Sequence, residues 1–385
     1  MNEATEHTRR VLLVCQRDGY ANGVLPNAIE RFMRERGHDV QVADTYSLSR
    51  ASSDRSSVRS KLPALEPKRL ALYGVEAASR ILMRRWGFGR RKLTYYYLLG
   101  DYKLRRLILR SMLPLDDFDA VVCVHPHDAG IVTVPTSARM FYDCPTPWAD
   151  EMLYEGRLTP RQHRRLRELE TGLYQRADAL SFSWESYGRY VVEHYGVDAG
   201  NFRQLNWGCT PAERRAEFRD PLRVAYIGSL SSRFIDLPLL SRLSKLYPHI
   251  DVYGGPPPDP ALGLNYRGWA PPDVLEGYQL GLITCTQDEL RSQGFSAKHL
   301  DYIAYGLPTL VPAWRRHLDL IEGSVPYTED TFVSVIEGLR DPAAWQRASD
   351  EAYAQAQRLT WDRTLEPLDA FLRETAPQAR PALAA

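Results

Sequence analysis

Apolar residues fall along this chain in two alternating rhythms. Val11-Leu12-Leu13-Val14-Cys15 is a short unbroken apolar run, the pattern of a strand buried on both faces, and the polar turn Arg17-Asp18-Gly19 follows it. Leu25, Ala28, Ile29, Phe32 and Met33 then recur at helical spacing, with Pro26 at the start and Gly37 closing the helix before Val40-Gln41-Val42-Ala43. This predicts a β-α-β unit. Ala120 to Val124, Ala138 to Tyr142 and Ala179 to Phe182 predict further strands. Thr159-Pro160-Arg161-Gln162 predicts a capping box opening a helix to about Arg176.

The rhythm restarts near Leu222. Leu222 to Ile227 predicts a strand that runs into Gly228-Ser229, followed by a helix carrying Leu239, Leu240, Leu243 and Leu246. Ile250 to Tyr253, Leu280 to Cys285 and Thr309 to Val311 predict strands, alternating with helices at about 271 to 279 and 297 to 305. The fold class is therefore α/β, with two doubly wound domains. The expected domains are 1–210, with a basic helical insertion at about 47–112, and 211–360. They are joined through about 207 to 221, where Gly208, Pro211 and a run of charges interrupt the pattern. A helix within 361–376 is expected to cross back to the first domain, and the Ala/Pro-rich 377–385 to be disordered.

Composition narrows the partners. With 385 residues, 44% of them hydrophobic, the chain can bury two sizeable cores. Lys and Arg number 49 against 48 Asp and Glu, so no bulk field selects nucleic acid. Cys15, Cys123, Cys144, Cys209 and Cys285 form no CxxC pair and no Cys/His ligand spacing; a reducing, cytoplasmic setting without a zinc site fits them. No apolar run reaches the length of a signal peptide or a membrane span. Residues 68–110 depart from the balance, holding twelve Lys or Arg against Glu76 and Asp101, with Trp86, Phe88 and Tyr95-Tyr96-Tyr97 among them. Two readings stand for this segment. One is a solvated basic face with aromatics in the core; the other is a peripheral contact with anionic lipid at the inner membrane face, or a site for a charged acceptor.

Candidate chemistry concentrates at Phe295 to Pro308, where a helix begins near Ser296 and ends at Gly306. Its first amides suit a diphosphate, with Lys298 as counter-charge in the first turn and Asp301 one turn on, placed for ribose hydroxyls. An ordinary capped helix with a surface Lys/Asp pair is the alternative. In the first half, His125, His127 and Asp128 follow one strand and Asp143 the next, where the carboxyl ends of strands border a ligand crevice. No G-x-G-x-x-G occurs, which removes the main support for a dinucleotide dehydrogenase.

The segment "SAKHLDYIAYGLPTLVP" at 296–312 resembles the donor-binding helix of GT-B glycosyltransferases. In order along the chain, "RGHDV" at 36–40, "LNWGCTP" at 205–211 and "YIGSLSSRFIDLPLL" at 226–240 are similar to the end of that family's first helix, its interdomain segment and its second domain's first strand and turn. The resemblance implies two facing Rossmann-like domains and transfer of a sugar from a UDP-, GDP- or dTDP-linked donor. The acceptor would be a glycan, a lipid-linked saccharide or a small molecule. It implies donor binding by Gly19, Gly228, Ser229, Arg233, Gly254, Trp269, Gln293, Ser296, Ala297, Lys298 and Asp301, with Lys298 and Arg233 on the phosphates and Gly254 and Trp269 near the base. In an inverting enzyme His127 or Asp143 would be the catalytic base, and in a retaining one these groups would mainly hydrogen-bond the sugars. No metal and no cofactor beyond the nucleotide sugar are expected, since a helix end and basic side chains would neutralise the diphosphate. The chain departs from the family's E-x7-E pattern, carrying Gln293 and Asp301 at the two acidic positions. An epimerase on the same fold and a non-catalytic nucleotide-sugar binder remain as alternatives.

Overall fold

A computed structural model of the chain describes residues 8–17, 20–45, 91–230, 234–294, 296–315 and 322–374. Gly19, Arg233, residues 46–90 of the basic insertion and the C-terminal tail lie outside the described residues. Contacts divide the chain into two units, Met1–Asn206 with Leu365–Ala385, and Trp207–Thr364.

In the first unit, β1 (Arg10–Cys15) leads to α1 (Tyr20–Glu35) and β2 (Asp39–Asp44). Val11 to Cys15 are wholly buried, as a strand with neighbours on both sides and cover on both faces requires. Helix α1 begins earlier than its periodicity predicts, and Pro26 sits inside it. A proline there gives up one helix hydrogen bond, and the apolar face from Leu25 to Met33 holds the helix through it. Next come α2 (Arg91–Gly100), a π-helical turn (Asp101–Arg105) and α3 (Arg106–Met112). After these, β3 (Ala120–Val124) runs into a 3-10 segment (Pro126–Thr133), then β4 (Arg139–Cys144), α4 (Trp148–Tyr154) and α5 (Pro160–Arg176). Both halves of the Thr159/Gln162 capping box are present at the start of α5. β5 (Ala179–Phe182) and α6 (Glu185–Tyr195) follow. The five strands are parallel in the order β2-β1-β3-β4-β5.

The second unit holds β6 (Val224–Ile227), α7 (Leu237–Leu246), β7 (Ile250–Tyr253), β8 (Asn265–Tyr266) and β9 (Leu280–Leu282). It continues with α8 (Glu289–Gln293), α9 (Ala297–Ala304), β10 (Thr309–Pro312), β11 (Ser324–Tyr327), α10 (Phe332–Gly338), α11 (Pro342–Arg358) and α12 (Trp361–Thr364). Its six parallel strands run β11-β10-β9-β6-β7-β8, the order of a dinucleotide-binding sheet, with the reversal of direction between β6 and β9. The helix expected at 271–279 is instead a 3-10 segment, Pro272–Gly277: prolines at its start and Gly277 at its end leave too few residues for a stable α-helix.

The final helical stretch breaks at Leu365, with Pro367 in the first turn of α13 (Glu366–Arg373). Helix α13 belongs to the first unit. Asp369 bonds buried His38 at 3.0 Å, and Arg9 donates to the Leu372 carbonyl at 3.1 Å. The Arg139 guanidinium lies 3.9 Å above the Phe371 ring.

Candidate functional site

In the second unit, the carboxyl ends of β6 and β9 flank the point where strand order reverses, the position at which open α/β sheets hold ligands. Tyr302 of α9 fixes that helix there. Its ring lies on Gly281, where a Cβ would stand 2.3 Å from the ring. Its hydroxyl accepts from the Ile227 N–H at 3.0 Å and donates to the Leu282 carbonyl at 3.0 Å. One side chain thereby joins α9 to both strands, and the start of the helix is set over the reversal point.

Lys298, in the first turn of α9, lays its stem across Gly228. A Cβ on Gly228 would sit 2.2 Å from Lys298 Cε, and the backbone there has φ +137°, so only glycine fits. Gly254 is equally close to the chain, since a Cβ on it would meet the Gly228 carbonyl oxygen at 2.6 Å. Gly228 donates to the Tyr253 carbonyl at 2.9 Å, and Gly254 to that of Gly268 at 2.8 Å. The Gly228 and Gly254 turns and the Gly268 segment are thus laced together by main chain, and the adjoining Trp269 is 71% exposed.

The electrostatics are cationic. Lys298 Nζ is 5.1 Å from the centre of the Tyr226 ring, and burial pushes the lysine down to about 8, with Cys285 and Asp301 opposing. Burial raises Asp301 to about 6 against the pull of Lys298. The Cys285 thiol is raised by burial and held back by Arg315, Arg291 and Lys298, which places three cations about the end of β9. Arg315 is buried and donates to the Gly294 carbonyl, while Arg291 stacks 3.4 Å from the centre of the Phe234 ring. Two buried hydroxyls of this region, Thr284 Oγ1 and Tyr226 Oη, have no hydrogen-bond partner among the described residues. Sequence reasoning missed Arg291 and Arg315. The position of Arg315 just beyond β10 was the available signal.

The remaining donor-side candidates are placed as follows. Ser296 is the N-cap of α9 but makes no side-chain cap bond, and Ala297 is exposed in the first turn. Ser229 is exposed after β6. Gln293 ends α8 and donates to Glu289 at 3.2 Å.

In the first unit, His125 follows β3 with φ +76°, and its N–H donates to the Asp143 carbonyl at 3.1 Å. The Asp143 side chain is fully enclosed, and neither carboxylate oxygen makes a hydrogen bond of good geometry. Burial pushes it up to about 7, the Ser181 hydroxyl opposing. His127 is half-buried and meets the Trp148 ring edge-on, with ring centres 4.6 Å apart. Trp148 is held by buried Glu170, which accepts from the Trp148 N–H at 3.1 Å, the Ala149 N–H at 3.1 Å and the Tyr102 hydroxyl at 2.8 Å. Asp128 is occupied by structure: Arg105 reaches it at 2.6 Å and the Thr45 hydroxyl donates to it at 2.5 Å, all three buried. No described contact joins His127 to Asp143.

At the opposite, amino end of this sheet lies a cavity of about 320 Å³ lined by Arg9, Asp116, Asp119, Arg139 and Glu374. Its charges are largely taken up: Asp119 accepts from the Arg10 N–H at 2.7 Å and Arg139 pairs with Glu374 at 2.8 Å. Among the described residues no three His, Cys, Asp or Glu side chains are grouped as a metal site needs, and no helix is long and apolar enough to cross a membrane.

No family model and no curated protein matches the sequence. Solved structures do. A sucrose-phosphate synthase from Thermosynechococcus elongatus matches with a TM-score of 0.67 at 10% identity, over 95% of this chain and 98% of that one. A structure described as trehalose-6-phosphate from E. coli bound with UDP-2-fluoro glucose matches at 0.60 and 11% identity, over 96% and 100%. CalG4, the calicheamicin glycosyltransferase, matches at 0.53 and 12%, over 96% and 100%. At these identities the likeness establishes the fold. The chain has the GT-B fold, with two Rossmann-like α/β domains.

Proposed function

We propose that this chain is a glycosyltransferase that moves a sugar from a nucleoside-diphosphate donor, bound by the second unit, to an acceptor hydroxyl bound by the first. The observation that carries the reading is Lys298 lying across Gly228 at the reversal of the second sheet, with Arg291 and Arg315 nearby. The similar fold of the structure bound with UDP-2-fluoro glucose supports it.

In the reaction, the acceptor oxygen forms a bond to the anomeric carbon while the bond from that carbon to the diphosphate oxygen breaks. The acceptor proton passes to a base, and negative charge grows on the departing diphosphate. Lys298, protonated at neutral pH with a value of about 8, meets that charge together with the first amides of α9 and the two arginines. This cation set serves without an obligatory divalent ion. In this reading Asp301, one turn on from Lys298, takes the ribose hydroxyls, Gly254 and Trp269 take the nucleobase, and the Gln293 amide hydrogen-bonds the donor sugar. On the acceptor side, His127 is the more accessible base and is held against Trp148. Asp143, at about 7, has the proton affinity of a base working at neutral pH, and enclosure sets its access. A glycan, lipid-linked saccharide or small-molecule hydroxyl fits these groups equally. Five free cysteines suit a cytoplasmic setting.

The test is sugar transfer by purified protein from UDP-, GDP- and dTDP-linked donors to a panel of saccharide acceptors, with and without EDTA. Acceptor-dependent release of one nucleoside diphosphate, undiminished by EDTA and lost in Lys298→Ala, is expected. Turnover that needs no acceptor would point to an epimerase. Binding without turnover would point to a carrier or sensor.

A further inference from the structure

The α2–α3 helix of the first unit presents one face that is exposed among the described residues. Its inner face is fixed: Tyr95, Leu98, Tyr102, Arg105 and Leu109 are buried. Tyr102 bonds Glu170, and Arg105 pairs with Asp128. Gly130 approaches so closely that a Cβ there would lie 2.5 Å from the Tyr102 carbonyl oxygen. The helix therefore cannot roll, and its outer face is determined. On that face Tyr96 is 65% exposed, Leu104 45% and Leu107 60%. These are three of the six large hydrophobic residues exposed among the described residues, gathered on one helix. Single exposed apolar side chains are ordinary, but a stripe of three is not.

The charges beside the stripe have one sign. Lys103 and Arg110 are exposed, and no described carboxylate pairs with either; Arg106 belongs to the inner face, where a Cβ on Gly130 would lie 2.9 Å from its Cβ and its Nε is buried. Asp101 is the only acidic residue between 91 and 112. An apolar stripe bordered by unpaired cations complements a surface with an apolar interior and an anionic rim, whereas a protein partner selected for an apolar stripe alone would not need the cations.

We infer that the outer face of this helix, through Tyr96, Leu104 and Leu107 flanked by Lys103 and Arg110, docks the protein on an anionic lipid surface. The inference stands apart from the donor-site reading. Leu104 and Leu107 would enter the boundary between headgroups and acyl chains, and the cations would sit among lipid phosphates. Such binding is reversible and weakens with salt, because its electrostatic part falls off within a Debye length of about 10 Å at 0.1 M ionic strength.

The experiment is co-sedimentation of the full chain with vesicles of phosphatidylcholine alone and of phosphatidylcholine with phosphatidylglycerol, at low and high salt. Binding to the anionic vesicles only, weakened by salt, is expected. It should fall at least tenfold in Leu104→Gln/Leu107→Gln and in Lys103→Gln/Arg110→Gln. All four substitutions are at exposed positions, and unchanged melting temperatures and nucleoside-diphosphate binding would show that the fold and donor site are intact. The proposal is overturned if the wild type ignores anionic vesicles at low salt, or if both variants bind as well as the wild type. It is also overturned if the stripe joins two copies of the chain, seen as a dimer in solution that Leu104→Gln/Leu107→Gln dissolves.

Discussion

Asp143→Asn tests the most unusual group of the first unit. The carboxyl is enclosed, lacks well-formed hydrogen bonds and is raised from 3.8 to about 7 by burial. Below about pH 4 the group is protonated whether the chain is folded or not, and it contributes nothing to pH dependence. As pH rises, the unfolded chain releases the proton while the folded chain keeps it until about 7, so stability is progressively lost across that window and then levels off. At about 1.36 kcal/mol per pH unit the full loss is roughly 4 kcal/mol, of which roughly 3 falls between about pH 5 and pH 8. Asn has nearly the same shape and does not titrate, so the variant escapes this loss. The assay is native-state hydrogen exchange of the β4 amides in wild type and variant at the two pH values. It reads the first unit alone, and every other titrating group cancels between the two proteins. The variant should gain roughly 3 kcal/mol on the wild type from pH 5 to pH 8. A constant difference would refute the reasoning, because it would mean that the folded carboxyl is ionised and solvated or paired.

Three further outcomes follow from the geometry. Gly228→Ala places a Cβ 2.2 Å from Lys298 Cε at φ +137°, so calorimetry should show nucleoside-diphosphate affinity reduced at least tenfold, with a strain of about 1–3 kcal/mol in the folded state. Because Lys298 titrates at about 8, the affinity for whichever nucleoside diphosphate binds should fall between about pH 7 and pH 9 in the wild type and stay flat in Lys298→Arg; a flat wild-type profile would remove Lys298 from the phosphates. Arg105→Met leaves Asp128 charged and unpaired in the core and should cost about 3–5 kcal/mol in urea unfolding, most of it recovered in Arg105→Met/Asp128→Leu. A small cost for the single change would mean that the pair is solvated.

The architecture is legible in the sequence wherever burial is complete. Val11 to Cys15 and Ala120 to Val124 read as strands because a parallel strand covered on both faces can hold nothing but apolar residues. β8 and β11 are partly exposed edge strands of two and four residues, Asn265–Tyr266 and Ser324–Tyr327, and they carry no periodic signal. The candidate site is legible where position along the chain fixes chemistry. Lys298 stands in the first turn of a helix that follows a strand, and Gly228 ends a strand. Arg291 is not legible, because an arginine in a short helix looks solvated until its surroundings are known, and Arg315 is marked only by its place just beyond β10, with its burial hidden. The Arg105–Asp128 pair joins an insertion helix to the segment after β3, and the choice of Asp128 over His127 for that contact depends on tertiary packing. The enclosure of Asp143 has the same origin: the apolar run ending at Tyr142 reads as a strand with Asp143 just past it at the ligand edge, but β4 continues to Cys144 and its neighbours enclose the side chain.

The donor site is the centre of the account, and isothermal calorimetry of wild type and Lys298→Ala against UDP, GDP, dTDP and ADP tests it most directly. One nucleoside diphosphate should bind selectively to the wild type, and its affinity should fall at least tenfold in the variant while the melting temperature stays within a few degrees. No binding of any nucleotide at about millimolar concentration, or binding indifferent to the loss of Lys298, would contradict it.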